Sequence, residues 1–290
     1  MNASRVGQSA WPVRPMAMED IPAGLAMCRL AGWNQVREDW ALYLEQSRGG
    51  AQVILHESSV IGTVTAVPYQ QRFGWIGMVL VDERFRGQGV GGHLLRLAID
   101  QLSVCDTAKL DATPAGRAVY LKLGFVDEWP LLRMDTVARP VLAPPGVSVR
   151  EIADADLTAV LAWDAEVFGA DRSAILRRYR ELDPRSAFVA ERGSTLAGYA
   201  FGRHGFRWEQ AGPIVAHDRD AAQALLAAAL TRHAGKPLLV DTRLADPAWV
   251  AWLRAIGFAE QRPYTRMFKG SNRHPGRPDR QYAILGPELG

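Results

Sequence analysis

Two parts of the chain answer each other. Gly124-Phe125, then Pro130, then Arg133-Met134 is matched by Gly257-Phe258, Pro263 and Arg266-Met267, each displaced by 133 positions. Upstream, Val13-Arg14 with Asp20-Ile21 is matched by Val149-Arg150 with Asp156-Leu157, and Glu57 and Gly62 by Glu191 and Gly198. Chance likeness of turn residues would not keep strand, helix and terminal elements in one order. The 290 residues therefore read as two copies of one α/β fold. The first copy spans 1–137, a proline-rich linker 138–146, the second copy 147–270, and a tail 271–290.

Within the first copy, the stretch from Ile76 to Leu102 carries the chemistry. It reads as an apolar strand (Ile76 to Val81), a glycine-rich loop (Asp82 to Gly89) and a helix with Val90, Leu94, Leu95, Ala98 and Leu102 at helical spacing. The first amides of a helix have no internal partner, and its dipole adds positive potential there, so such a loop is a site for phosphate. Arg86 supplies a cation at the loop's centre. The spacing also predicts a strand at Val13-Arg14-Pro15, helices Ile21 to Ala31 and Gln35 to Gln46, and a hairpin from Gln52 to Val67 turned at Ser58-Ser59. Beyond the loop come a strand Ala108 to Ala112, a turn at Thr113 to Gly116, a helix Arg117 to Leu123, and one or two strands from Val126 to Thr136.

The second copy departs at the same place. Val81 corresponds to Ala216 and Leu94-Leu95 to Leu225-Leu226, but His217-Asp218-Arg219-Asp220 replaces the glycine-rich loop and Leu253 replaces Tyr120. Acids stand where phosphate would lie, so the second copy is expected to be degenerate.

Other classes are disfavoured. The apolar fraction of 48% and charged fraction of 22% fit a globular chain, with no apolar run of membrane-spanning length and no signal-peptide core in MNASRVGQSAWPVRP. Cys28 and Cys105 make no disulfide framework, which fits a cytoplasmic protein. A net charge of +3, and a tail with Arg273, His274, Arg277 and Arg280, do not by themselves call for nucleic acid. The six histidines show no metal-ligand spacing, so no metal is expected. Gly87, Gly89 and Gly92 satisfy a dinucleotide fingerprint, but here the loop follows a hairpin instead of opening a βαβ unit.

Arg86-Gly87-Gln88-Gly89-Val90-Gly91 resembles the [Q/R]-x-x-G-x-[G/A] acetyl-CoA loop of the GNAT superfamily of N-acetyltransferases. Ala118 to Phe125 resembles that family's second signature, a helix carrying tyrosine and ending in Gly-Phe. The duplication resembles bacterial tandem GNAT proteins with a degenerate C-terminal copy. The resemblance implies an α/β (α+β) chain of two tandem domains, each a mixed, mostly antiparallel sheet flanked by helices. It further implies acetyl-CoA, held by Arg86, Gly87, Gln88, Gly89, Val90, Gly91 and Gly92 at the pyrophosphate and by Val79, Val81 and Thr113 along the pantetheine arm. Thr113 stands where many relatives have asparagine, and its hydroxyl still offers one donor. Tyr120 would protonate the departing thiolate.

The acceptor side of that family implicates Trp33, Asn34, Asp39 and Tyr69, and also Trp40, for which helix packing is the alternative, with Arg203, Trp208 and Glu209 of the second copy facing the same cleft. For the base, Asp111, Glu57, His56 and Glu83 are candidates by type alone. The expected activity is acetyl transfer to a small-molecule amine by a monomer or homodimer, without nucleic-acid or membrane partners. A non-catalytic acyl-CoA sensor and a protein-lysine acetyltransferase are the alternatives.

Overall fold

The computed structural model describes residues 11–290. The first half contributes β1 (Val13–Pro15), β2 (Gln52–His56), β3 (Ser59–Tyr69), β4 (Phe73–Val81), β5 (Thr107–Ala112) and β6 (Val126–Val137), with α1 (Ile21–Leu30), α2 (Arg37–Ser47), α3 (Val90–Gln101) and α4 (Pro114–Lys122). The second half contributes β7 (Ser148–Glu151), β8 (Phe188–Arg192), β9 (Thr195–Arg203), β10 (Glu209–Ala216), β11 (Pro237–Arg243) and β12 (Ala259–Gly270), with α5 (Leu157–Phe168), α6 (Ser173–Leu182), α7 (Arg219–Arg232) and α8 (Pro247–Ala255). The tail adds β13 (Gln281–Ala283). Among the described residues, no helix is long and apolar enough to cross a membrane.

Two local expectations shift. The β2–β3 hairpin turns at Glu57-Ser58, one residue early, with Glu57 taking a positive φ of 55°. Helix α4 begins at Pro114 instead of Arg117. Thr113 caps it by accepting from the Gly116 amide at 3.2 Å, and a proline at the first helical position loses no hydrogen bond.

The thirteen strands of the described residues form one sheet, in the order β1-β2-β3-β4-β5-β12-β6-β11-β13-β10-β9-β8-β7. The two halves have exchanged their last strands: β12 of the second pairs with β5 of the first, and β6 of the first with β11 of the second. At the centre β6 and β12 pair antiparallel with each other. The sequence limits at 137 and 270 therefore do not bound separate sheets. The exchange explains the repeated Arg-Met. Arg133 lies opposite Asp241, and Arg266 opposite Asp111. Each guanidinium grips both carboxylate oxygens, at 2.7 and 2.7 Å for Arg133 and 2.8 and 2.9 Å for Arg266. Both ion pairs are buried and each joins one copy to the other. Met134 and Met267 are fully enclosed on the opposite face of their strands.

Strand alternation divides most of the core in three, with a small fourth cluster of Leu131, Tyr264 and Ile284. On one face, Ile61, Val64, Ala66 and Ile76 meet Val90, Leu94, Leu95 and Ala98 of α3. The corresponding face of the second half packs on α7 and α8 through Leu225, Leu226, Trp249 and Leu253. The opposite face is shared: α1 and α2 of one half and α5 and α6 of the other close on a common core with Trp75, Leu285 and Leu289.

Candidate active site

The parallel ladder between β4 and β5 consists of two pairs, Gly74 with Ala108 and Trp75 with Lys109, after which the strands separate. A bulge in β4 helps to open the split. Leu80 pairs with Thr63 and Gly77 with Thr65, so Met78 and Val79 together face one residue of β3, and Met78 takes a positive φ of 50°. The Thr63 hydroxyl donates to the Met78 carbonyl at 2.8 Å, which fixes the turn of the backbone. A cavity of about 590 Å³, counting its open mouth, lies in the split. Val79, Thr113 and Tyr120 of the first copy's motifs line it, together with Trp33, Gln35, Arg133, Tyr264, Pro287 and Glu288.

At the loop end, Gly87 and Gly89 have φ of 75° and 89°, and a Cβ built on either would meet no atom within 4 Å. The first backbone bond of α3 runs from the His93 amide to the Gly89 carbonyl at 3.0 Å. The amides of Val90, Gly91 and Gly92 are therefore left without an intrahelical acceptor, beside an exposed Arg86. Free amides, an open approach and a split sheet suit the pyrophosphate and extended arm of coenzyme A.

Tyr120 projects from α4 and packs against Phe125 with ring centroids 6.2 Å apart. Burial pushes its hydroxyl up to about 12, so the group stays protonated. The Thr113 oxygen accepts from Gly116, which leaves its proton available to donate.

The acceptor-side candidates separate. Of the four, only Trp33 lines the cavity. Asn34 is buried in the seam between halves, where its Nδ2 donates to the Trp208 carbonyl and its Oδ1 accepts from the Arg207 and Trp208 amides. Asp39 is buried, accepting from the Val36 amide at 2.8 Å and from Arg203 Nη1 at 2.6 Å. Tyr69 is buried too, its hydroxyl donating to the Leu289 carbonyl at 2.9 Å. Trp40 is core. Trp208 reaches Asp135, and Glu209 holds Lys236. Among the base candidates, His56, Glu57 and Glu83 do not line the cavity, and both oxygens of Asp111 are taken by Arg266. Among the described residues, no cluster of three or more His, Cys, Asp or Glu is placed to hold a metal.

The apolar end of the tail, Tyr-Ala-Ile-Leu, suggests docking onto the body, and it does dock; what the sequence does not show is where. In the second half, β10 and β11 pair in parallel at Glu209-Leu238 and Gln210-Leu239 and then separate, as β4 and β5 do. Here β13 fills the gap, pairing Ile214 with Ala283 on one side and Thr242 with Ala283 on the other. The tail then crosses to the first half. Trp75 Nε1 donates to the Pro287 carbonyl at 2.9 Å, and Arg172 donates to the Gly290 carbonyl. Gly77 and Gly212, 135 positions apart, make room for it: a Cβ there would stand 2.6 Å from the Glu288 carbonyl and 2.1 Å from the Ile284 carbonyl. The paired glycines and the apolar Tyr-Ala-Ile-Leu were the available signals.

A family model described as Acetyltransferase (GNAT) family matches residues 17–125, and one described as Acetyltransferase (GNAT) domain matches residues 160–283. The chain is a tandem member of the GNAT family. Its activity class is acyl transfer. Over 97% of this GNAT chain and 95% of the relative it is 25% identical to holothin acyltransferase of Pseudoalteromonas sp. (strain SANK 73390). It is 22% identical to the uncharacterised N-acetyltransferase YitH of Bacillus subtilis (strain 168), over 94% and 96% of the two chains. Its fold is shared with a candidate acetyltransferase from Pyrococcus horikoshii, at TM-score 0.82 and 21% identity over 100% and 99% of the chains. A tandem GNAT protein from the clavulanic acid biosynthesis pathway is similar at TM-score 0.65 and 16% identity, over 89% and 98%.

Proposed function

We propose that the protein is a cytoplasmic N-acetyltransferase that moves the acetyl group of acetyl-CoA directly to an amine of a small molecule. The observation that carries this reading is one cavity lined both by residues of the first copy's motifs, Val79, Thr113 and Tyr120, and by residues from outside them, Trp33, Arg133, Tyr264 and Glu288. Amides of residues 86–92 would hold the pyrophosphate, and Val79, Val81 and Thr113 the pantetheine arm. An amide near Val79 would polarise the thioester carbonyl.

Tyr120 would steady the leaving thiolate. A thiol of pKa about 8.5 is a stronger acid than this buried phenol, so donation of a hydrogen bond does most of the work and complete proton transfer is not required. The tail and the exchanged strands roof the acceptor side, which favours a compact amine over a lysine in a folded protein. The same reading takes the protein as a monomer or homodimer with no nucleic-acid or membrane partner.

The test is titration of coenzyme A, expected to give about one site per chain, followed by thiol release from acetyl-CoA across a panel of amines. Tyr120→Phe should lower kcat about tenfold to a hundredfold and leave KM nearly unchanged. Tight cofactor binding with no turnover of any amine would favour an acyl-CoA sensor instead.

A further inference from the structure

An alkylamine arrives protonated at neutral pH, with pKa about 10.4 for a lysine-like group, and cannot attack until it loses a proton. The cavity is lined by two carboxylates, Asp111 and Glu288, and by no histidine among the described residues. Asp111 is committed through both oxygens to Arg266, whose guanidinium is itself held between the rings of Trp75 and Trp129 at 4.5 and 4.2 Å. Glu288 is half committed. Its Oε1 accepts from the Tyr43 hydroxyl at 3.0 Å and from Arg203 Nη2 at 3.1 Å, while its Oε2 accepts from no described residue.

We propose that Glu288 is the residue that binds the ammonium of the acceptor and takes its proton, and that the acceptor is therefore a primary alkylamine that enters as a cation.

Charge at this point favours a cation. Arg203 is shared between Glu288 and Asp39, so the ionised cluster carries two negative charges against one positive. Burial pushes the Asp39 carboxyl up to about 6, with Arg203 pulling the other way and the neighbouring Glu288 charge adding to the rise. With one guanidinium for two carboxylates, the cluster gains from an ammonium at Oε2. Position is fixed as well. Glu288 lies between two residues whose carbonyls are each held at 2.9 Å, Pro287 by Trp75 and Leu289 by Tyr69. Its carboxylate is held on the cavity wall without the cost of ordering a free tail at each turnover.

Oε2 takes one proton from the ammonium, and the freed lone pair forms the N–C bond to the thioester carbon. The C–S bond breaks and the sulfur leaves with its electron pair, steadied by the Tyr120 hydroxyl. The new amide nitrogen sheds its second proton, which restores the thiol, and the proton on Glu288 returns to solvent.

This inference rests on the acetyl-transfer reading, and its test separates the two. Thiol release is measured for the wild type, Glu288→Gln and Tyr43→Phe with the fastest primary alkylamine from a panel of diamines, amino alcohols and arylalkylamines. Each is then measured with hydroxylamine, which is already neutral at pH 7. Glu288→Gln keeps an oxygen for Tyr43 and Arg203 but removes the base. It should lose about a hundredfold in kcat/KM with the alkylamine and less than about tenfold with hydroxylamine. Tyr43→Phe leaves the carboxylate and should keep the wild-type ratio between the two acceptors. Calorimetry supplies a readout apart from turnover: the alkylamine should bind Glu288→Gln at least about tenfold more weakly, with coenzyme A affinity unchanged. Equal losses for both acceptors, or unchanged alkylamine binding, overturn the role of Glu288 while the transferase reading stands. No turnover of any amine by the wild type overturns both.

Discussion

The two halves open the same split in the sheet and end with opposite contents. In the first, β4 and β5 part after Trp75 and Lys109 and leave a cavity. In the second, β10 and β11 part after Gln210 and Leu239, and β13 is laid into the gap. The helices that follow differ in the same sense. The first turn of α3 is bare behind Gly89, whereas Asp218 caps α7 by accepting from the Ala221 amide at 3.0 Å and pairs with Arg192. A carboxylate on that amide occupies the place of a phosphate and repels one. A split sheet is thus a general cost of this fold, with backbone polar groups that need partners. One copy leaves them open to the cavity, and the other satisfies them with its own chain. The same tail then turns the filled copy into part of the open copy's wall.

Removing the tail should have the largest effect. Deleting residues 281–290 strips the partner from β10 and β11 and exposes the pocket of Ile284, Leu285 and Leu289, all fully buried. Three such side chains account for roughly 5–9 kcal/mol, comparable to the whole stability of many proteins. The expected result is loss of the cooperative unfolding transition by circular dichroism, and a wild-type transition would show that the filling is dispensable.

The exchanged strands offer a finer test. Asp241→Ala leaves Arg133 and Gln210 without their shared acceptor and should cost about 3–5 kcal/mol in urea denaturation. Asp111→Ala should cost less, because Arg266 keeps its contacts with Trp75 and Trp129. Equal losses would mean that the two pairs are energetically interchangeable after all.

At the loops the expected effects are smaller. Gly89 adopts φ of 89°, which a side chain resists by about 1–2 kcal/mol, so Gly89→Val should weaken coenzyme A by about tenfold in calorimetry. The corresponding change in the other half, Asp218→Ala, removes a helix cap and should cost about 1 kcal/mol of stability. It should leave cofactor stoichiometry at one; a second site would show that capping alone had closed the second copy.

Much of this was legible in the sequence because it is local. Helical spacing from Val90 to Leu102, the glycines of the loop and the Tyr120 helix each depend on neighbours within a few positions. The 133-residue displacement made the duplication visible, and the acids at 217–220 marked the copy without a cradle. What the sequence leaves undecided is non-local. Asn34, Asp39 and Tyr69 have the polarity of binding residues, but each finds its partner in Trp208, Arg203 or Leu289, more than a hundred positions away. Glu288 was equally invisible, since a carboxylate in a tail has no spacing relation to the strands it joins.

The sequence by itself determined two copies of one fold and which of them keeps the glycine-rich loop, because periodicity and turn chemistry are set by adjacent residues. Tertiary structure decided that the copies trade their final strands, that the tail fills the second split, and that Glu288 stands in the first. Those outcomes turn on which backbone groups and charges find partners across the chain, and partners so distant are chosen only when the whole sheet closes.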